Sequence, residues 1–185
     1  MKTLVKPAGA EALDPIRALL DGTYVDAETG KMVGVATRSL VVADTLAGTE
    51  AQLVGDLGFG RKLAVISDPT TRTVLGARVE TALAGRFDVQ SIVLPDNPYP
   101  DDDAVARIRS ATKSADALIA IGSGTINDLT KYSSALDGKP YAVFATAPSM
   151  NGYTSLTASI SQHGHKLTLP AQAPAGAFFD LAIDF

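Results

Sequence analysis

Cysteine is absent from the 185 residues, and only two of them are histidine. The first absence excludes disulfides and thiolate metal sites. Lysine and arginine total 16 against 20 acidic residues, a net charge of −4, and form no basic block. Electrostatic capture of nucleic acid needs a clustered basic surface, so nucleic acid is not an expected partner. The N-terminal run MKTLVKPAGAEALDPIRALL has no uninterrupted apolar stretch long enough for a signal-peptide core or a membrane span. The expectation is a cytoplasmic protein without a membrane partner.

The chain does have enough apolar sequence for a core. Hydrophobic residues make up 46% and charged residues 19%, in a length that suits one domain or one domain with a small addition. Helix-period apolar positions run from Glu11 to Leu20, with Asp14-Pro15 as the start signal. Asp21 to Gly34 is rich in turn residues. Residues 1–38 therefore read as a helical and turn-rich extension, and 39–185 as the main α/β unit.

Within that unit, short apolar runs alternate with helix-period segments. Leu40 to Ala43 reads as a strand, and Thr45 to Leu57 has helical spacing. Lys62 to Ser67 is a buried-strand pattern, followed by Asp68-Pro69 and a helix over Thr71 to Ala84. Val89 to Leu94, Ala117 to Ile121 and Tyr141 to Ala145 are further strands. Helices over Asp102 to Ser114 and Ile126 to Leu136 separate them. Acidic Asp101, Asp102 and Asp103 suit the positive end of a helix dipole. Strands too apolar for a wet face, alternating with helices, predict a Rossmann-like doubly wound, mainly parallel sheet with helices on both faces.

The alternation breaks after Ala145. Asn151 to Thr157 admits either a helix start or a loop. Ser159 to Leu169, centred on Gln162-His163-Gly164-His165, predicts a hairpin, and Ala177 to Leu181 a last strand. A parallel strand at a chain end normally leads into a crossover helix. The expectation is one part of a larger protein.

Two loops at strand ends carry the chemistry. Gly122-Ser123-Gly124-Thr125-Ile126 follows a strand and opens a helix. Glycine lets backbone approach a ligand, and the first helical turn leaves N–H groups free for an anion. Ser123 and Thr125 add hydroxyls, and Asp128 stands where it caps the turn or holds the loop in shape. The run is neither G-x-G-x-x-G nor a Walker loop. A tight strand-to-helix turn with an ordinary cap reads equally well from the glycines alone. The second loop, Thr146-Ala147-Pro148-Ser149, weighs against that plainer reading. With Asn151 and Ser155 it places polar groups where a core helix would place apolar ones.

GSGTINDLTKY, KPY, TAPSMNGYTS, GHK and a final aromatic-Asp-Leu together resemble the sn-glycerol-1-phosphate dehydrogenases. These sit in the superfamily of metal-dependent alcohol and glycerol dehydrogenases that also holds dehydroquinate synthase. The resemblance covers roughly Ser39 to Leu181. It implies that Gly122, Ser123, Gly124, Thr125 and Ile126 form a pyrophosphate loop, and that Thr146, Ala147, Pro148 and Ser149 form a second nucleotide loop. It implies further that Ser155 lies near the nicotinamide and that Asp68 meets the adenosine ribose. A carboxylate at Asp68 would bond ribose hydroxyls and repel a 2′-phosphate, favouring NAD over NADP. A helix cap is the plainer role for Asp68, and both roles are compatible. Asn151 stands where the family commonly has a substrate-contacting Asp, so the contact shape is kept and the charge lost.

The resemblance implies NAD(P) as cofactor and a polyol phosphate as substrate. It also implies a divalent metal (zinc, nickel or iron) held by one Asp and two His of a helical domain beyond Phe185. No catalytic or metal-ligating residue is assigned to this chain. His163 and His165, two apart, would share one face of a strand but lack a third ligand, and an exposed hairpin turn is their ordinary reading. Asp180 matches the aspartate that closes the last strand. The implied reaction interconverts sn-glycerol 1-phosphate and dihydroxyacetone phosphate, with this fragment inactive alone. Another polyol dehydrogenase, a dehydroquinate synthase-like enzyme and a non-catalytic nucleotide-binding module are the alternatives. Apolar surface around Asn151 to Leu169 and the last strand would favour a homo-oligomer.

Overall fold

The computed structural model describes residues 14–147, 150 and 152–183. A helix, α1 (Asp14–Asp21), leads into a small antiparallel pair, β1 (Tyr24–Val25) and β2 (Met32–Val33). This pair lies in the segment expected only to turn. Its reversal is set by Asp26, whose Oδ1 accepts hydrogen bonds from the Thr29 amide at 2.7 Å and hydroxyl at 2.6 Å.

The main body alternates strand and helix: β3 (Ser39–Ala43), α2 (Glu50–Gly55), β4 (Lys62–Ser67), α3 (Pro69–Thr71), a π-helical segment (Arg72–Gly76) and α4 (Ala77–Ala84). It continues through β5 (Asp88–Val93), α5 (Asp102–Ala111), β6 (Ala117–Gly122), α6 (Gly124–Leu136) and β7 (Tyr141–Ala145). A hairpin of β8 (Thr157–Gln162) and β9 (His165–Pro170) precedes β10 (Gly176–Asp180). The six long strands form one parallel sheet in the order β3-β10-β7-β6-β4-β5. The expected Rossmann-like architecture is therefore the observed one.

Burial explains why these runs are strands. Every residue of β6 and β7 is buried, because each strand is covered on both faces. Alternate residues of β4 point oppositely. Ala64 and Ile66 pack with Val105 and Ile108 of α5 and Leu129 of α6. Leu63 and Val65 pack on the other face with Val54 of α2, Leu75, and Val79 and Leu83 of α4. Complete burial of such a side chain contributes about 1.5–3 kcal/mol.

Several boundaries differ from expectation. The helix expected over Thr45 to Leu57 is confined to Glu50–Gly55, because Gly48 takes φ +83 and turns the chain before the helix starts. The helix expected over Thr71 to Ala84 begins earlier, at Pro69, and passes through the π-helical segment before resuming as α4. Asn151 to Thr157 contains turns from 152 onward and no helix among the described residues. At the hairpin tip, His163 and Gly164 take φ 51 and 79, the left-handed pair that a tight two-residue connection requires. His163 therefore belongs to the turn while His165 starts β9, and the two do not share a strand face.

The strand order places a crevice. From β4 the chain moves to the sheet edge at β5, then returns past β4 to β6 and continues inward to β7. The segments leaving β4 and β6 consequently pack on opposite faces of the sheet. Where successive crossovers diverge in this way, the carboxyl ends of the strands open a binding crevice.

Candidate nucleotide-binding site

Asp68 and Gly122 flank that crevice, at the ends of β4 and β6. Asp68 is the N-cap of α3: its Oδ1 accepts from the Thr71 amide at 2.7 Å, and the Thr71 hydroxyl accepts from the Asp68 amide at 3.0 Å. Pro69 occupies the first helical position, where a missing N–H costs nothing. This reciprocal cap holds the carboxylate at the strand end.

Gly122 is buried, and a Cβ built on it would stand 2.6 Å from the Cβ of Ile126. Strand β6 and the first turn of α6 can approach this closely only without a side chain at 122. Gly124 differs: among the described residues a Cβ there would meet nothing within 4 Å. It stands on the first turn of a 13-residue helix. Ser123 is the N-cap of α6 but makes no side-chain cap bond. The first-turn N–H groups are not covered by that hydroxyl, and with the helix dipole they suit an anion. Ser123, Gly124 and Thr125 are half-buried, while Ile126 is part of the core.

The second loop lies beside the first. The Thr146 amide donates to the Gly122 carbonyl at 3.4 Å. The Tyr153 hydroxyl donates to the Ala147 carbonyl at 2.8 Å, and its ring meets Phe179 edge-on at 5.2 Å between centroids. Burial pushes the Tyr153 phenol up to about 12, so it remains a donor at neutral pH. Pro148, Ser149 and Asn151 lie outside the described residues.

A cavity of about 440 Å³ opens between α6 and the hairpin, lined by Gly124, Asp128, Ser155, Ser159 and Thr168 among others. Asp128 does not cap α6; its Oδ2 accepts from the Ser159 amide at 3.0 Å and so ties the helix to β8. Burial raises its carboxyl above the ordinary value, opposed by the Ser159 hydrogen bond and by Lys131 and Lys166. Lys131 is fully buried and gives its protons to the Gly152 carbonyl (2.7 Å), Ser155 Oγ (2.9 Å) and the Thr157 carbonyl (3.1 Å). Burial lowers its ammonium below the ordinary value, opposed by Asp128. Sequence reasoning passed over Lys131 and Tyr153; a lysine one turn after Asp128 reads as a solvated helix face until its neighbours are known.

Asp180 ends β10 and accepts hydrogen bonds from Arg78 through Oδ2 and from the Ala182 amide at 3.1 Å through Oδ1. Among the described residues no group of three or more His, Cys, Asp or Glu stands where it could hold a metal ion. His163 and His165 are both exposed. Among the described residues, the strand ends thus bring together the Gly122–Ile126 turn, the Thr146-Ala147 start of the second loop, a helix N-terminus that the Ser123 side chain does not cap, and the Asp68 carboxylate.

A family model described as iron-containing alcohol dehydrogenase matches residues 41–184, and the chain belongs to that family. Among its relatives is the glycerol-1-phosphate dehydrogenase [NAD(P)+] of Halalkalibacterium halodurans, 35% identical over 125 residues, covering 64% of this chain and 31% of the relative. The enzyme of the same name from Pyrococcus furiosus is 30% identical over 146 residues, covering 79% of this chain and 42% of the relative. The chain thus spans less than half the length of these curated relatives. Among solved structures, sulfoacetaldehyde reductase from Bifidobacterium kashiwanohense in complex with NAD+ aligns with a TM-score of 0.67 at 14% identity. That alignment covers 80% of this chain and 46% of the other. Maleylacetate reductase from Agrobacterium tumefaciens gives 0.69 at 18% identity, over 81% of this chain and 43% of the other. These structural likenesses concern the fold.

Proposed function

We propose that this chain is the nucleotide-binding part of an NAD(P)-dependent dehydrogenase that interconverts sn-glycerol 1-phosphate and dihydroxyacetone phosphate. The observation that carries the reading is the pair of glycines at the crevice. Gly122 lets β6 and α6 close together, and Gly124 leaves free space beside N–H groups that Ser123 does not cover. A cofactor pyrophosphate fits such a floor. The names of the curated relatives point to the same cofactor and substrate.

When bound, the nicotinamide supplies or takes the hydride, and a divalent metal in enzymes of this class polarises the substrate oxygen. Within this reading the chain's part is to bind and orient. The N–H groups of α6 hold the pyrophosphate, the Thr146-Ala147 loop walls it, and Asp68 takes the adenosine ribose hydroxyls. Ser155 faces the nicotinamide half, and Asn151 meets the polyol phosphate. By itself the chain binds NAD(H) and does not turn over substrate. Exposed Leu156, Leu167 and Leu181 lie on the segments that would pair with a second domain or a second copy.

Calorimetry tests the reading. NADH and ADP-ribose are expected to release binding heat at submillimolar to millimolar concentration, and no heat from either at millimolar ligand would overturn it.

Asp68 yields a second test. Asp68→Asn keeps a capping side chain but removes the charge that opposes a 2′-phosphate. The variant is expected to melt within a degree or two of the parent and to shift the NADH-to-NADPH affinity ratio about tenfold toward NADPH. Asp68→Ala, which also loses the cap, should cost about 1 kcal/mol of stability in a denaturant titration.

A further inference from the structure

The resemblance that gives Ser155 a place near the nicotinamide says nothing of what holds it there. We propose that Lys131 is the positioning residue of this wall of the site, and that it makes Ser155 an acceptor toward the cofactor. The inference rests on the nucleotide-binding reading above.

An ammonium carries three protons. Those of Lys131 go to Gly152, Ser155 and Thr157, three points on the segment that joins the second loop to β8. No other fully buried cation occurs among the described residues. One turn earlier on the same helix, Asp128 fixes the Ser159 amide. Residues 152–159 are therefore held by two side chains of α6, the helix whose N-terminus forms the pyrophosphate floor. The two side chains thus tie this wall to the helix of the floor.

The hydroxyl of Ser155 has one proton and two lone pairs. Its proton goes to the Gly152 or the Thr157 carbonyl, each at 2.9 Å. One lone pair takes the Lys131 proton. On this assignment one lone pair of Ser155, which lines the cavity, is left over, and the group that it meets is a donor, a ribose hydroxyl or a carboxamide N–H. Lys131 thus sets both where Ser155 stands and the polarity it presents.

The test uses the 185-residue chain with two probes, NADH and ADP-ribose, the second lacking the nicotinamide ring. Lys131→Met keeps the length of the apolar stem and removes the three donors. It is expected to weaken NADH binding about tenfold, to leave ADP-ribose within about twofold, and to speed amide exchange across 152–159 about tenfold. Ser155→Ala is expected to give the same NADH-selective loss without the general increase in exchange, and the double variant should lose little more than either. Unchanged exchange over 152–159 in Lys131→Met, or equal losses for both probes, would overturn the proposal. So would Ser155→Ala binding NADH like the parent, a result that stands even where Lys131→Met fails to fold. If the parent binds neither probe, the nucleotide-binding reading falls instead, and the exchange comparison still decides whether Lys131 anchors the segment.

Discussion

Arg78→Met is expected to lower the stability of the fold by about 3 kcal/mol, a drop of roughly 6–12 °C in melting temperature. Arg78 on α4 lies between two carboxylates that water does not reach. Its Nη2 donates to Asp180, whose side chain is 0% exposed, and its Nε stands 2.8 Å from Glu50 Oε1, on a side chain 1% exposed. Glu50 begins α2, and Asp180 ends β10. One guanidinium thus joins two helices to an interior strand of the sheet. Replacing all three charges with apolar groups could be close to neutral, but removing only the arginine strands two buried anions. We place the cost at the lower end of such losses because Arg78 itself is 35% exposed, which lets water partly replace it.

The same site fixes a pH signature. Burial would raise the Asp180 carboxyl, but the Arg78 hydrogen bond, two backbone amides and the nearby charge outweigh it and leave the group below its ordinary 3.8. A depressed carboxyl contributes stability that is complete above its unfolded value and lost as pH falls through the folded one. In Arg78→Met the burial remains without the partner, so the folded carboxyl should sit above 3.8 and lose stability as pH rises. The gap between parent and variant should therefore be widest near neutrality and narrow as pH falls toward and below 3.8. Urea titrations at pH 7 and pH 3.5 measure it. A gap independent of pH would show that Asp180 does not carry the effect.

This network was not legible in the sequence. Arg78 and Asp180 lie 102 residues apart, and neither spacing nor composition brings them together. What could be read was local. Strands β4 and β7 have the ends that KLAVIS and YAVFA predict, because a run buried on both faces has no polar positions to blur its limits. The Asp68 cap before Pro69 was equally plain, whereas Asp101, read only as a charge at the helix start, is an N-cap whose Oδ1 accepts from the Ala104 amide at 2.8 Å. Helix α2 was overextended because apolar spacing continues through Thr45 to Leu46, while the positive φ of Gly48 belongs to the backbone. Of the candidate site, the glycine turn was legible as a strand-to-helix connection because its geometry is in its own backbone. Its support was not, since Lys131 owes its role to carbonyls 21 to 26 residues away.

The two glycines of the floor are expected to respond oppositely to one added methyl group. In Gly122→Ala the new Cβ would stand 2.6 Å from Ile126 Cβ and 3.0 Å from its Cγ1. A Cβ is fixed by its backbone, so no rotamer change relieves the first contact; α6 must shift away from β6. Overpacking of this kind costs about 1–3 kcal/mol, and the shift displaces the N–H groups that face the ligand. NADH affinity should fall about 100-fold together with a lower melting temperature. In Gly124→Ala the methyl enters open space on a helix, where alanine is favoured over glycine by up to about 1 kcal/mol. That variant should melt at or above the parent temperature. It should still lose about tenfold or more in affinity for both NADH and ADP-ribose, because the open space at 124 is what a bound phosphate would occupy. Paired thermal melts and calorimetric titrations of the two variants separate the contributions. Loss of stability without loss of affinity in Gly122→Ala, or undiminished binding in Gly124→Ala, would move the pyrophosphate away from this turn. The plainer reading of GSGTI, a tight strand-to-helix connection and nothing more, would then be the right one.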